Sequence, residues 1–385
     1  MKPSSSTPEA GLFDEVFARG PVREAVADPA WLRALLDVEV ALAAAQADIG
    51  SISPDAARAI AGVAATHEFD IAALGRAAAG PGNPVLPLVE ELRAAVPDEH
   101  AASVHKGATS QDILDTAAML VAHRALAPLL ADVGGAADVA AVLARRYRDA
   151  PVMGRTLLQH AEPTTIGLTA AGWCAGLDAT GQRLAEVRGR RLAVQVGGAA
   201  GTLAGYGPRA AELPSRLAGR LGLAAPVLPW HTERARIGEL AAALGTAAGS
   251  IGKVARDVTL LAQTEVAEVA EGSPGRSSAM PHKRNPTAAV CAVACAAQAP
   301  GLVATVLGAM IQEHQRAAGA WHAEWKPVRD LLGTVGSAAS WLHTCLRELR
   351  IDATVAAGRV GGDPADHLLA AAALVDRALD ARDAR

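Results

Sequence analysis

Aromatic residues are scarce in this chain, since Phe, Trp and Tyr together make up 3% of its 385 residues. Proteins that stack bases or sugars on their side chains need aromatic platforms, so the composition argues against such ligands. A formal net charge of −4 gives no long-range attraction for nucleic acid or for an anionic membrane surface. The cations that bind an anionic substrate would therefore have to be concentrated locally.

Cysteine is also scarce, and the four positions Cys174, Cys291, Cys295 and Cys345 include no C-x-x-C pair. Cys291 and Cys295 lie one helical turn apart in an apolar run, which indicates packed free thiols and a reducing compartment. The Ser/Pro-rich residues 1–11 lack the apolar core of a signal peptide, so we expect a disordered tail and a cytoplasmic protein. No apolar run reaches the length of a membrane span without polar interruption, so no membrane association is expected.

The most regular segment covers residues 237–268, where apolar side chains alternate three and four positions apart. This heptad spacing predicts a long helix inside a helical bundle. Gly245, Gly249 and Gly252 lower its helix propensity by roughly 1 kcal/mol each. We therefore expect the three glycines at points where neighbouring helices approach closely.

Helical patterning extends over most of the chain, and the expected fold class is all-α. Residues 287–350 predict a second long helical run with a bend at Pro300 and a break near Pro327. Strand signals are confined to short pieces such as residues 192–196. The expected domains are an N-terminal helical domain over 12–100, a central long-helix bundle over 101–350, and a shortened C-terminal remnant over 351–385.

Residues 272–286 form a segment of Gly, Pro, Ser, Lys, Arg and Asn that follows the long predicted helix. Glycine and proline punctuate the chain, so this is a loop. It brings the hydroxyl of Ser277 close in sequence to the cation of Lys283. A mobile loop with these groups on a rigid helical frame can close over an anionic substrate.

Three other segments carry polar groups at helix or loop boundaries. The first, H-K-G-A-T-S-Q-D over 105–112, precedes an apolar helical run. Thr109 or Ser110 could be a plain N-cap, or could bind a carboxylate together with free helix N–H groups. The second is G-R-T-L-L-Q-H-A-E-P-T-T over 154–165, whose His160 we expect on a helix. The third is Q-E-H-Q-R over 312–316.

Together these motifs resemble those of the fumarase/aspartase superfamily, whose signature loop has the form G-S-S-x-M-P-x-K-x-N-P. The strings M-P-H-K-R-N-P, W-H-T-E-R and Q-E-H-x-R resemble its lactonising branch in particular. The likeness covers residues 12–351. It implies an all-α homotetramer with composite active sites drawn from three subunits, a small polycarboxylate substrate and no cofactor. Neither metal nor nucleic acid is expected as a partner.

The resemblance also implies roles for individual residues. Ser277 corresponds to the proton-transferring serine, Lys283 to a stabiliser of the doubly charged aci-carboxylate, and Arg316 to a carboxylate-binding arginine. From sequence alone, Arg316 could instead pair with Glu313 on a helix surface. The implied substrate-binding residues are His105, Thr109, Ser110, Gln111, Gln159, His160, Ser278 and Asn285.

Leu157 departs from the family pattern. Relatives that eliminate amines or water place a general-acid histidine at or near this position, and lactonising relatives usually have tryptophan. An amine must be protonated as it leaves, whereas a carboxylate attacks already ionised at neutral pH. We therefore expect a cycloisomerase that adds a carboxylate to an alkene, giving a carboxymuconolactone. Elimination of a weakly basic group such as nitrite, and a catalytically silent homologue, are the alternatives.

Lys106 is a second departure, because relatives usually carry an uncharged residue there. The extra cation either favours a more anionic substrate or faces solvent.

Overall fold

The computed structural model describes residues 11–361 and 364–384, so residues 1–10 of the expected disordered tail lie outside it. As expected, the fold is mainly helical. The helices are α1 (Asp14–Phe17), α2 (Pro21–Val26), α3 (Asp28–Asp48), α4 (Pro54–Thr66), α5 (Ile71–Ala77), α6 (Val85–Ala95), α7 (Asp98–Ala101), α8 (Ser110–Arg146), α9 (Ile166–Glu186), α10 (Leu213–Leu221), α11 (Ala235–Leu261), α12 (Thr287–Gly308), α13 (Ala320–Arg347), α14 (Ala353–Ala357) and α15 (Ala365–Asp383).

Within the described residues, four short strands form two antiparallel pairs. They are β1 (Pro151–Thr156) with β2 (Gln159–Thr165), and β3 (Val269–Glu271) with β4 (Leu349–Ile351). No strand was expected at β1 and β2, and the expectation that His160 lies on a helix is wrong. Of the expected strand 192–196, only an isolated bridge between Ala193 and Ala224 is present.

Helix α11 confirms the heptad seam, since its residues from Ile237 to Val258 at the predicted positions are all buried. Added Cβ atoms would lie 2.8 Å from Val303 at Gly245 and 3.0 Å from Ala296 at Gly252, as expected for closely packed helices. Gly249 differs, because no described atom comes within 4 Å of its added Cβ. As the residue number increases along α11 from Gly245 to Gly252, the number of the contacting residue on α12 decreases from Val303 to Ala296. The two helices therefore run antiparallel.

Two predicted boundaries are wrong. Helix α11 ends at Leu261 and not at Glu268, and the chain then turns through Ala267 at φ +49° into β3. The run 287–350 divides at residues 309–319, whereas Pro327 lies inside α13. The segment 309–319 lies beside the beginning of α11, because α12 runs antiparallel to α11.

Helices α8 and α12 are long and apolar enough to cross a membrane by length and composition alone. This is weak evidence for a membrane span, because a core helix of a soluble protein passes the same test. Both helices pack within the bundle here, α8 against α9 and α13, and α12 against α11 and α13.

Candidate active site

Asp112 organises one corner of the bundle, where α8 and α11 both begin. Its carboxylate is 1% exposed and has four hydrogen-bonding partners. The backbone N–H groups of Thr109 and Gly198 donate to Oδ2 at 3.1 and 2.9 Å. The N–H of Gly197 donates to Oδ1 at 3.0 Å, and Nε2 of His231 lies 2.6 Å from the same oxygen. One carboxylate thus holds together the start of α8, a glycine turn and an imidazole.

Arg316 reaches this corner from the segment between α12 and α13. Its Nη2 donates to the carbonyl of Gly198 at 2.7 Å, and its Nη1 to the carbonyl of Gln315 at 2.8 Å. Burial lowers the pKa of Arg316, an effect that Asp112 and Asp115 oppose. An arginine stays cationic at neutral pH despite such a shift. Arg316 is therefore a half-buried cation beside the helix N-terminus.

The surface ion pair considered for Arg316 does not form. The carboxylate of Glu313 instead accepts the backbone N–H of Ala318 at 3.1 Å. Among the residues that the structure describes, the guanidinium therefore bonds only to carbonyl oxygens, which are weaker partners than a carboxylate.

A buried ionic network supports the corner from inside. Arg234, with a fully buried side chain, donates to both oxygens of Asp115 at 2.8 and 3.0 Å and also pairs with Glu324. Burial raises the pKa of Glu324 to about 7, although Arg234 opposes the shift. Gln111 is 2% exposed, and its amide donates to Asp115 at 3.1 Å and to the carbonyl of His231 at 2.7 Å. Gln111 therefore lies beneath the corner.

His105 lies at the edge of the same corner with a left-handed backbone, at φ +58°. Its Nδ1 is 2.6 Å from Oε1 of Glu39, a residue of α3 that is 2% exposed. Lys106 points elsewhere, since its exposed ammonium donates to the carbonyl of Ser51 at 2.6 Å. The expectation that Lys106 adds a cation to the site gains no support from this contact.

The signature loop lies directly before α12. The backbone groups of Gly275 and Asn285 bond to each other at 2.9 and 3.2 Å and close its base. Inside it, Ser277 Oγ accepts the N–H of Met280 at 3.1 Å and that of Ala279 at 3.4 Å. Two N–H dipoles aimed at a hydroxyl oxygen stabilise its alkoxide.

The cationic and polar side chains of the loop face outward. Lys283 and Ser278 are exposed, and Asn285 is half-buried. Below them, the buried carboxylate of Glu271 accepts the N–H groups of Ala288 and Ala289 at 3.1 and 2.8 Å. An acidic side chain on free N–H groups stabilises a helix N-terminus, so Glu271 ties the loop base to α12.

The β1–β2 hairpin carries the remaining predicted residues. Gln159 and His160 on β2 are exposed. Its two-residue turn consists of Leu157 and Leu158, both left-handed at φ +52° and +63° and exposed by 95% and 68%. Leucines are unfavourable at such φ values and exposed positions, and backbone strain of this kind clusters at functional sites.

A single chain does not bring these regions together. The loop precedes the first residue of α12, and Arg316 follows its last turn. At 1.5 Å per residue, the 22 residues of α12 place its two ends ~33 Å apart, with the loop joined to one end and the segment that carries Arg316 joined to the other. The hairpin lies at the same end of the bundle as the loop, because its Arg155 pairs at 2.6 Å with Glu268, the residue directly before β3. One chain therefore has the corner with Asp112 and Arg316 at one end and the signature loop at the other.

No group of three or more His, Cys, Asp or Glu side chains that could hold a metal ion occurs within 11–361 and 364–384. The four cysteines are free thiols, and three of them are buried.

Comparison with known proteins gives consistent relatives. Residues 19–301 match the family model described as Lyase. The chain is 44% identical over 355 residues to a 3-carboxy-cis,cis-muconate cycloisomerase of Pseudomonas aeruginosa, covering 91% of this chain and 77% of that protein. It is 44% identical over 359 residues to a nitrosuccinate lyase of Streptomyces davaonensis, with coverages of 90% and 76%. The crystal structure of the 3-carboxy-cis,cis-muconate lactonizing enzyme from Pseudomonas putida superimposes with a TM-score of 0.84 at 39% identity, covering 96% of this chain and 88% of that one.

Proposed function

This chain belongs to the lyase family of the fumarase/aspartase superfamily, and on that premise we propose that it converts 3-carboxy-cis,cis-muconate to a carboxymuconolactone. The observation that carries the proposal is the high identity, over about nine-tenths of the chain, to several proteins named as this cycloisomerase. The reaction is an isomerisation of the acid: the carboxyl group loses its proton to solvent, the π bond of one alkene is replaced by one C–O bond and one C–H bond, and the proton added to carbon is regained from solvent. It would belong to the protocatechuate branch of aromatic catabolism.

Substrate binding would begin at the corner that Asp112 organises. Arg316 presents two N–H groups of one guanidinium, a geometry that suits a carboxylate. The start of α8, with the hydroxyls of Thr109 and Ser110, adds the donors and positive dipole of a helix N-terminus. These groups would hold the substrate carboxylates so that one oxygen faces the alkene carbon.

Proton transfer would depend on the signature loop. As the carboxylate oxygen bonds to one alkene carbon, negative charge develops on the neighbouring carbon and spreads into its own carboxylate. Lys283 and Asn285 would stabilise this dianion. Ser277 would deliver the proton to the carbon, and the N–H groups of Met280 and Ala279 would stabilise the alkoxide left behind.

Leu157 fits this reaction because lactonisation needs no acid for a leaving group. The attacking carboxylate is ionised at neutral pH, and the only proton required goes to carbon. At the hairpin tip Leu157 would present an apolar surface to the substrate.

We propose that the active form is a homotetramer, located in the cytoplasm, with sites built from several copies. The separation of loop and corner by α12 supports composite sites. Helix α12 also exposes Val290 by 50% and Leu307 by 44%, and the following Ile311 by 87%. An apolar helix with such a face is stabilised by burial against another helix.

A second candidate is elimination of nitrite from nitrosuccinate. The relative from Streptomyces davaonensis favours it, because it is as similar to this chain as the cycloisomerase from Pseudomonas aeruginosa. Nitrite is a weak base and leaves without protonation, so Leu157 permits this reaction as well.

Parallel assays with three substrates distinguish these functions. Purified protein would be offered 3-carboxy-cis,cis-muconate, nitrosuccinate and adenylosuccinate in parallel, with ultraviolet absorbance following muconate loss and fumarate formation. We expect efficient consumption of the muconate alone. Efficient fumarate release from nitrosuccinate without muconate turnover would replace the proposal by the nitrite reaction, and turnover of none would indicate the silent homologue.

A further inference from the structure

The contact between Glu39 and His105 lies outside the groups used so far. Glu39 belongs to the middle of α3, in an apolar stretch between Val38 and Val40. Its side chain is 2% exposed, and Oε1 lies 2.6 Å from His105 Nδ1. A carboxylate buried on an apolar helix face is unfavourable unless it is paired. The imidazole supplies that pairing.

The geometry also determines which ring nitrogen remains available. Nδ1 faces Glu39, while Nε2 has no hydrogen-bond partner in the described part of the chain. The His105 side chain is 14% exposed, so its ring has an open side. Its left-handed backbone at φ +58° is followed by Gly107 at φ +75°, where an added Cβ would lie 3.0 Å from Tyr206. The turn before Thr109 is therefore closely packed.

We propose that Glu39 is a positioning residue that holds His105 as an imidazolium, whose free Nε2–H binds a substrate carboxylate beside the start of α8. The inference rests on the proposed function and deepens it. Under it, the corner binds a polycarboxylate with two cations, Arg316 and His105, from different segments. Lys106, next in sequence, has no part because its ammonium is turned to Ser51.

The charges around the ring favour this state on balance. Burial alone lowers the pKa of His105, but the hydrogen bond and charge of Glu39 and the charge of Asp112 outweigh it, so the net pKa is raised above 6.5. Arg93 of α6 opposes the shift. Burial raises the pKa of Tyr206, whose ring lies against Gly107, so its phenol stays neutral and adds no charge near His105. The cation therefore persists to higher pH than in an unperturbed histidine and disappears as the pH rises through the raised pKa.

The first test is the titration of His105 in the full-length protein by NMR of labelled imidazoles. The spectrum of His105→Gln assigns the resonance among the 11 histidines. We expect a midpoint above 6.5 in wild type, a lower midpoint in Glu39→Gln, and recovery towards wild type in Glu39→Asp. A wild-type midpoint at or below 6.5 would overturn the proposal even if the Glu39 variants failed to fold. An unchanged midpoint in folded Glu39→Gln would also overturn it.

The second test asks whether the substrate uses this charge. In Glu39→Gln, KM for 3-carboxy-cis,cis-muconate should rise about tenfold near neutral pH, as expected for the loss of one charge-assisted hydrogen bond, with a smaller change in kcat. The alkaline limb of kcat/KM should move to lower pH. The matched control Lys106→Gln should leave both unchanged.

The two tests separate this inference from the proposed function. A shifted His105 titration with an unchanged pH profile of muconate turnover would show that the substrate does not use the cation, and would refute the inference alone. If the protein does not turn over the muconate, the proposed function has failed, and calorimetric binding of tricarballylate replaces the kinetics. Weaker binding of tricarballylate to Glu39→Gln than to wild type would then still support carboxylate binding by the His105 imidazolium. Equal binding to both proteins would refute the inference as well.

Discussion

Replacing Asp112 by Asn tests the corner with a change of one atom. Two backbone N–H groups, from Thr109 and Gly198, donate to Oδ2, and a third, from Gly197, donates to Oδ1. An asparagine must present its NH2 group at one of these positions. At least one buried N–H then faces a donor, whichever way the amide turns.

The magnitude follows from the number of lost acceptors. A buried donor without a partner costs ~1–3 kcal/mol, so the better amide orientation should destabilise the fold by about that amount. Gly198 also accepts a hydrogen bond from Arg316 through its carbonyl, so displacement of the Gly197–Gly198 turn should misplace the guanidinium. A misplacement of about 1 Å can lower the rate by ~10²-fold. We expect kcat/KM of Asp112→Asn to fall by on the order of 100-fold.

The assay combines muconate turnover with denaturant unfolding of the folded assembly. Asp330→Asn is the matched control, because Asp330 forms an i,i+4 surface pair with Lys326 at 2.9 Å. Exposed pairs of this kind contribute about 0–1 kcal/mol, so the control should resemble wild type. Wild-type stability and activity in Asp112→Asn would refute the assignment of Asp112 as the organising carboxylate.

Substitutions at three further positions test individual roles. Lys283→Ala should lower kcat by about 10²–10³-fold without unfolding, as for loss of one charge-stabilising donor, and retention of more than a third of the wild-type rate would remove Lys283 from the mechanism. Arg316→Lys should impair kcat/KM nearly as much as Arg316→Ala, because lysine keeps the charge but loses the two-pronged geometry; unchanged kinetics in both would mean that Arg316 does not bind substrate. Leu157→His should add at most weak release of fumarate from adenylosuccinate and should not improve lactonisation, whereas a faster lactonisation would show that an acid is needed there after all.

Most of the long-helix architecture could be predicted from the sequence, because heptad spacing directly reflects burial in a bundle. The seam of α11 and the close approach at Gly245 and Gly252 followed from this rule. Helix ends were less predictable: Pro327 is accommodated within α13, and the actual break at 309–319 has no strong signal. In that segment Arg316 bonds to the distant carbonyl of Gly198, a tertiary contact that local propensity does not report.

The hairpin could not be predicted, since β1 and β2 lack the usual Asn-Gly or Gly-containing turn. Two leucines occupy its tip instead. The motifs did identify the loop and the start of α8. They did not reveal that Asp112 joins the start of α8 to the glycine turn and to His231, or that Glu39, 66 residues earlier in the sequence, faces His105 from α3. Such partners follow from tertiary packing, and W-H-T-E-R, which contains His231 and Arg234, was a signal for the partners of Asp112 and Asp115 but not for Glu39.

The central claim is that this chain lactonises 3-carboxy-cis,cis-muconate at sites assembled from several copies. Its most direct test mixes two inactive variants, Thr109→Val/Ser110→Ala and Ser277→Ala/Lys283→Ala, under conditions of subunit exchange, and follows muconate absorbance. If corner and loop come from different copies, random exchange of equal amounts should restore about one quarter of the sites. Recovery towards that level is the predicted result. No recovery in verified hybrids, or a stable monomer with full activity, would contradict the account.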